Sequence, residues 1–193
     1  MLRRLAPADF VTLVGLTLGW TAASLFLMGR PDTATLTLLL AFLCDKGDGY
    51  LARRGYGSTI GHQLDALADV VIYLVPTAIV VTQLLSGPTA LESVAGAIVV
   101  VFGVLRLARY STEGSSSDDG MAYYRGLTAF HVAAWALVVK LVVSATTVSA
   151  LAGATAIVAV SPLMIAPFRI YVTWYQFVGA VCLGSVIAMG TLV

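Results

Sequence analysis

Apolar residues in this chain come in long blocks separated by short turns, without sustained alternation of apolar and polar positions. A block of about 20 apolar residues is what an α-helix needs to cross ~30 Å of hydrocarbon. The blocks predict membrane helices at 10–29, 34–53, 61–86, 92–111, 126–147, 149–167 and 172–193. Between them lie turn sequences: Gly29-Arg30-Pro31, Gly55-Tyr56-Gly57-Ser58, Ser86-Gly87-Pro88 and Gly114-Ser115-Ser116-Ser117. Two divisions are thin. Thr146 to Ser149 is a weak hinge, and Pro162 and Pro167 blur the end of the sixth block, so the count is six or seven spans. Residues 1–9 read as a short interfacial lead into a retained first helix. The expected fold is an all-α integral membrane protein, one transmembrane domain over residues 1–193.

Composition agrees with that pattern. Of 193 residues, 59% are hydrophobic and 11% charged, whereas a soluble domain carries roughly 25% charged residues. A net charge of +1 gives no basis for a nucleic-acid partner or a strongly acidic one. Cys44 and Cys182 sit in apolar surroundings and read as buried thiols rather than a disulfide framework. Basic residues orient the chain. With a cytoplasmic N-terminus, Arg3, Arg4, Arg53, Arg54, Arg106, Arg109, Arg125 and Arg169 fall on the cytoplasmic side and Arg30 falls outside. Lys140, deep in the fifth span, is expected to snorkel outward. In this layout the cytoplasmic ends of spans two to five share one depth, and the conspicuous polar groups gather there.

Asp45, Asp48, Asp65 and Asp69 interrupt the lipid-compatible pattern. A carboxylate at the bilayer centre costs roughly 2.5–3.5 kcal/mol on insertion scales, less near the interface. At 100° per residue, Asp45, Asp48 and Ala52 share a helix face with Gly49 beside them, and Gly61, Asp65 and Asp69 follow one i, i+4, i+8 stripe. The first face ends span two and the second begins span three, across a short Gly-containing loop, so the two sets of carboxylates can converge. Crowded carboxylates repel. Divalent cations reverse that, and an all-oxygen donor set suits Mg²⁺, Mn²⁺ or Ca²⁺. Gly49, Ala52 and Gly61 carry almost no side chain, which allows either close approach of a ligand or tight helix packing.

The pattern Asp-x-x-Asp-Gly-x-x-Ala-Arg, then Gly-x-x-x-Asp-x-x-x-Asp, falls at Asp45, Asp48, Gly49, Ala52, Arg53, Gly61, Asp65 and Asp69. It resembles the signature of the CDP-alcohol phosphotransferases, integral membrane enzymes of phospholipid synthesis. The resemblance implies that Asp45, Asp48 and Asp65 hold metal with a contribution from Asp69. Two ions of Mg²⁺ or Mn²⁺ are expected, with Ca²⁺ as another occupant. It implies Asp69 as general base, Gly49, Ala52 and Gly61 as the cytidine-nucleotide cradle, and Arg53 on the phosphates. The partners it implies are a CDP-linked lipid, a small alcohol acceptor and the surrounding membrane lipids. A homodimer and an active site on the cytoplasmic face of the cell membrane are further expectations.

The acceptor rests on other segments. LDALADVV, LRLARYST and YYRGLTAFHVAAW are similar to the phosphatidylserine synthase branch, which makes L-serine the expected acceptor. The donor lipid is diacyl or archaeal ether-linked. Three features depart from that branch: Thr128 stands where proline is usual, Tyr110-Ser111 replaces Phe-Asn, and Lys46 is an unusual insert between the first two aspartates. Arg106 and Arg109, at i, i+3, together with Arg125 beside Tyr123 and Tyr124, are the candidate acceptor-binding residues. The same guanidiniums suit glycerol phosphate or inositol phosphate. His131 is expected to be a packed histidine, Asp118 and Asp119 solvated loop residues, and Trp20, Trp135 and Trp174 anchors. A divalent-cation transporter is the reading from another class, since intramembrane carboxylates also line ion paths. Against it, no acidic trail continues through spans five to seven.

Overall fold

The structure is a computed structural model that describes residues 5–85, 89–113, 116–118 and 121–171. The expected span at 172–193, with Trp174 and Cys182, lies outside the described residues, as do Arg3, Arg4 and Asp119. The helices are α1 (Pro7–Leu27), α2 (Pro31–Leu51), α3 (Gly61–Leu85), α4 (Thr89–Glu113), α5 (Ala129–Ala145) and α6 (Ala150–Val160). Pro7–Leu27, Gly61–Leu85 and Ala90–Thr112 are long and apolar enough to cross a membrane, while Ala129–Ala145 and Ala150–Met164 are shorter apolar helices. α2 has 21 residues, but Asp32, Asp45, Lys46 and Asp48 lower its apolar character. This is an α-helical integral membrane protein. Its exposed large apolar side chains, among them Phe10, Val14, Trp20, Leu67 and Leu151, suit a lipid environment.

Local chemistry explains where the helices begin. Pro7 and Pro31 occupy the first helical positions of α1 and α2, where no intrahelical N–H bond is lost. Thr128 and Ser149 cap α5 and α6 with side-chain oxygens that accept the N–H of His131 and Ala152. The Thr128 cap starts α5 at residue 129, not 126. The proline at 162 tightens the end of α6 into a 3₁₀ turn, Ser161–Met164, so the helix stops short of the expected 167. Likewise α1 begins at Pro7, so residues 7–9 are helical.

The chain divides into two compact units, one up to Pro76 and one from Thr77. In the first, α1 packs along α2 and against the N-terminal half of α3. Glycines set these distances. A Cβ on Gly19 would stand 2.9 Å from Ile72 Cα, and one on Gly15 would stand 3.1 Å from Cys44 Cβ. Backbone approach at small residues is how membrane helices gain contact when lipid removes the hydrophobic drive. Phe26, Leu38, Phe42, Ile72, Tyr73 and Leu74 are buried there. The turn Ala52–Tyr56 and the α3 segment Val70–Leu74 are π-helical. Gly55, at φ +91°, takes a left-handed conformation that bends the chain between α2 and α3.

The second unit contains a feature the apolar pattern did not predict, a three-stranded antiparallel sheet. Its strands are β1 (Ser116–Asp118), β2 (Met121–Arg125) and β3 (Arg169–Tyr171), in the order β1-β2-β3. Asp118 therefore ends a strand rather than lying in a loop. Next to β2, Gly126 has φ +73°, and a Cβ there would stand 2.5 Å from the Met164 carbonyl oxygen. Its N–H donates to Phe168 O at 2.8 Å, and that of Leu127 to Leu163 O at 3.0 Å. The Arg109 guanidinium completes the junction: Nη1 donates to Ile165 O at 3.0 Å, and Nη2 to the carbonyls of Met164 and Arg125.

Gly126→Ala is expected to destabilise the protein by on the order of 2 kcal/mol, because both its φ and its space exclude a Cβ. Thermal unfolding in detergent would register this as a melting temperature lower by several degrees. An unchanged melting temperature would mean that the junction relaxes around the methyl group.

Candidate metal and nucleotide site

Asp45 and Asp48 project from the last two turns of α2, and Asp65 and Asp69 from the second and third turns of α3. The bend at Gly55 turns the chain back so that the two sets meet. One carboxylate oxygen each from Asp45, Asp48 and Asp65 lies within 4.8 Å of the others. Asp69 is not one of these three, although it neighbours Asp45 and Asp65. Asp48 is 4% exposed. Both of its oxygens, and Oδ1 of Asp69, are buried without a hydrogen-bond partner.

Buried carboxylate oxygens without donors are costly and call for a counter-charge. An all-oxygen cluster with unsatisfied lone pairs fits a hard divalent cation, so the residues present suit Mg²⁺, Mn²⁺ or Ca²⁺. Asp45 differs from its neighbours. Its Oδ2 accepts from Tyr73 Oη at 2.6 Å and from Lys46 Nζ at 2.7 Å. Tyr73 was not singled out in the sequence, although it extends the i+4 stripe of Gly61, Asp65 and Asp69 by one step. That stripe was the available signal.

The small residues around the aspartates divide into two kinds. At Gly49, a Cβ would stand 3.4 Å from Arg53 Nη1, so the Arg53 guanidinium lies alongside the glycine. Ala52 is exposed at the start of the π-helical turn, and Gly57 folds back to within contact of it. The space at Gly61 is taken by protein. Asp9 Oδ1 lies 2.9 Å from where a Gly61 Cβ would stand. Asp9 is 1% exposed, and its Oδ2 accepts the Ala6 N–H at 2.7 Å. Gly61 thus accommodates the capping carboxylate of α1.

The candidate acceptor residues lie in the second unit and differ in environment. Arg106 is 6% exposed and faces the rings of Tyr110 and Tyr124 at 5.3 and 5.8 Å. Arg109 is spent on the three backbone carbonyls at the β2 junction. Arg125 has an exposed side chain and pairs with Arg169 across β2 and β3. His131 is a packed residue at the α5 cap, its Nδ1 2.6 Å from Thr128 Oγ1. Threonine can cap a helix in this way, which accounts for Thr128 at the proline position.

The sequence model of a family described as CDP-alcohol phosphatidyltransferase matches residues 5–184. An archaetidylserine synthase of Methanothermobacter thermautotrophicus is 28% identical over 122 residues, covering 61% of this chain and 52% of the relative. A CDP-diacylglycerol–serine O-phosphatidyltransferase of Mycobacterium leprae is 32% identical over 111 residues, covering 57% of this chain and 36% of the relative. The matched segments therefore span about half of the first relative's length and about a third of the second's. With the aspartates of α2 and α3 converged in space and the family match running across all the described helices, the chain belongs to the CDP-alcohol phosphatidyltransferase family.

Proposed function

We propose that this protein transfers a phosphatidyl-type group from a CDP-linked lipid to L-serine and releases CMP, at the cytoplasmic face of the membrane. The observation that carries this reading is the three-oxygen cluster of Asp45, Asp48 and Asp65 with the orphaned oxygens of Asp48 and Asp69. The names of the two relatives favour serine as acceptor and leave diacyl and archaeal donors equally eligible.

Asp45, Asp48 and Asp65, with Asp69 contributing, would hold two ions of Mg²⁺ or Mn²⁺, which would neutralise the pyrophosphate and stabilise the leaving oxygen. Gly49 and Ala52 would leave room for the cytidine nucleotide, Gly61 being packed against Asp9 instead, and Arg53 would pair with its phosphates. The acceptor hydroxyl oxygen attacks the phosphorus bonded to the lipid, and the P–O bond to CMP breaks. Asp69 accepts the hydroxyl proton; its Oδ1, free of protein donors, has a lone pair for it. Alignment of the hydroxyl supplies much of the activation, because a carboxylate beside cations is a weak base. Arg106 is assigned to the acceptor's carboxylate, with Arg125 nearby in sequence at β2. Arg109 supports this element from behind by holding the Arg125 carbonyl.

Purified protein supplied with CDP-diacylglycerol or CDP-archaeol and Mn²⁺ is expected to release CMP with L-serine about tenfold faster than with glycerol phosphate, inositol phosphate or inositol. A preference for one of the phosphates would reassign the acceptor. No CMP release with any of them would sink the transferase reading and favour the cation-transporter class.

Asp69→Asn is expected to reduce turnover by about 10²–10⁴-fold, with CDP-lipid binding retained in an equilibrium binding assay. Turnover at the wild-type rate would remove Asp69 from the base role.

Arg106→Ala is expected to raise the KM for serine by about tenfold or more, the effect of losing a charged hydrogen bond, and the donor KM much less. The reverse order would place Arg106 on the nucleotide.

A further inference from the structure

Asp45 is a carboxylate with two protein donors on one oxygen. Tyr73 Oη and Lys46 Nζ both reach Oδ2, so Oδ1 is the oxygen these donors leave to the cluster. The donors are unlike each other. Lys46 adjoins Asp45 in sequence, and its side chain is 43% exposed. Its four-carbon stem carries several rotatable bonds and a well-hydrated ammonium, so it constrains little. Tyr73 comes from α3 and is 1% exposed, and its ring packs against Phe42 with centroids 4.8 Å apart. A phenol fixed in that way can hold a carboxylate from another helix in one rotamer.

We propose that Tyr73 is a positioning residue for Asp45: its buried hydroxyl holds Oδ2 and so directs Oδ1 toward the oxygens of Asp48 and Asp65. This rests on the metal-site reading above and adds to it a supporting hydrogen bond from α3 to a ligand on α2. Partners behind metal ligands fix ligand orientation, and losing one typically costs 10–100-fold in metal affinity. The alternative is structural: a buried phenol requires an acceptor, and Asp45 supplies it. In that case the hydroxyl would matter to folding and not to the metal.

The test is Mn²⁺ binding to purified protein without substrate, followed by electron paramagnetic resonance, alongside thermal unfolding in EDTA. Tyr73→Phe removes the hydroxyl and keeps the ring. It is expected to weaken Mn²⁺ binding by about tenfold or more, with Asp45→Asn as the reference for losing the ligand itself. Lys46→Met, which removes the exposed donor alone, is expected to stay within about threefold of wild type, because its hydrogen bond to Asp45 comes from a flexible, partly solvated ammonium. Wild-type affinity in Tyr73→Phe overturns the proposal while leaving the metal site standing. Absence of Mn²⁺ binding in the wild type overturns both together. Should Tyr73→Phe fail to fold, Phe42→Leu decides instead: it loosens the packing that fixes the Tyr73 ring and keeps the hydroxyl, so weaker Mn²⁺ binding is expected and wild-type affinity overturns the proposal.

Discussion

Carboxylates confined between two membrane helices impose the strictest requirement in this protein. Asp48 crowds one point with Asp45 and Asp65, and both of its oxygens, like Oδ1 of Asp69, are buried without protein donors. Such a cluster repels itself apart unless the helices that carry it are held and the charge is answered. The first unit is built to hold them. Gly15 and Gly19 bring α1 within backbone distance of α2 and α3, and Asp9 seats itself against Gly61 at the point where α3 begins. The glycines are therefore as much a part of the site as the aspartates, although they bind nothing.

The second unit solves a different problem. Between α4 and α5, strand β2 holds Tyr123, Tyr124 and Arg125 in place. It does so by borrowing the end of α6 as a wall. Gly126 lies flat against the Met164 carbonyl, and Arg109 gathers three carbonyls from β2 and the 3₁₀ turn. Arg106, one turn earlier on α4, lies beside the contacting rings of Tyr110 and Tyr124. Two guanidiniums three residues apart on one helix thus have different surroundings, one bound to backbone carbonyls and one packed beside aromatic rings.

Much of this was legible without coordinates. Block length identified the helices, and the i, i+4 spacing put the carboxylates on facing stripes, because both properties follow from helix geometry alone. What stayed hidden depended on contacts between segments distant in sequence. Gly61 fits the nucleotide motif, yet its missing side chain is filled by Asp9, 52 positions away. Arg109 has the same spacing and type as any anion-binding arginine, and only the approach of residues 164 and 165 reveals its use. The sheet escaped because each strand has only three to five residues, too few for a period-two pattern to register. Tyr73 was missed for another reason: a tyrosine in an apolar span is ordinary until its hydroxyl meets a carboxylate.

The π-helical segment Val70–Leu74 sits directly after Asp69 and contains Tyr73. A π turn holds one residue more than the α turn it replaces, and each residue of an α-helix accounts for ~100° of rotation. The segment therefore acts as a phase adjuster in α3. Upstream of it the helix is clocked to the aspartates, and downstream to the packing of Thr77, Val80, Val81 and the rest of the apolar stretch. Lineages that gained or lost one residue here would keep every motif letter and still rotate half the helix away from its partners. Spacing between Asp69 and the rest of α3 is accordingly a constraint on insertions and deletions that substitution patterns alone would not register.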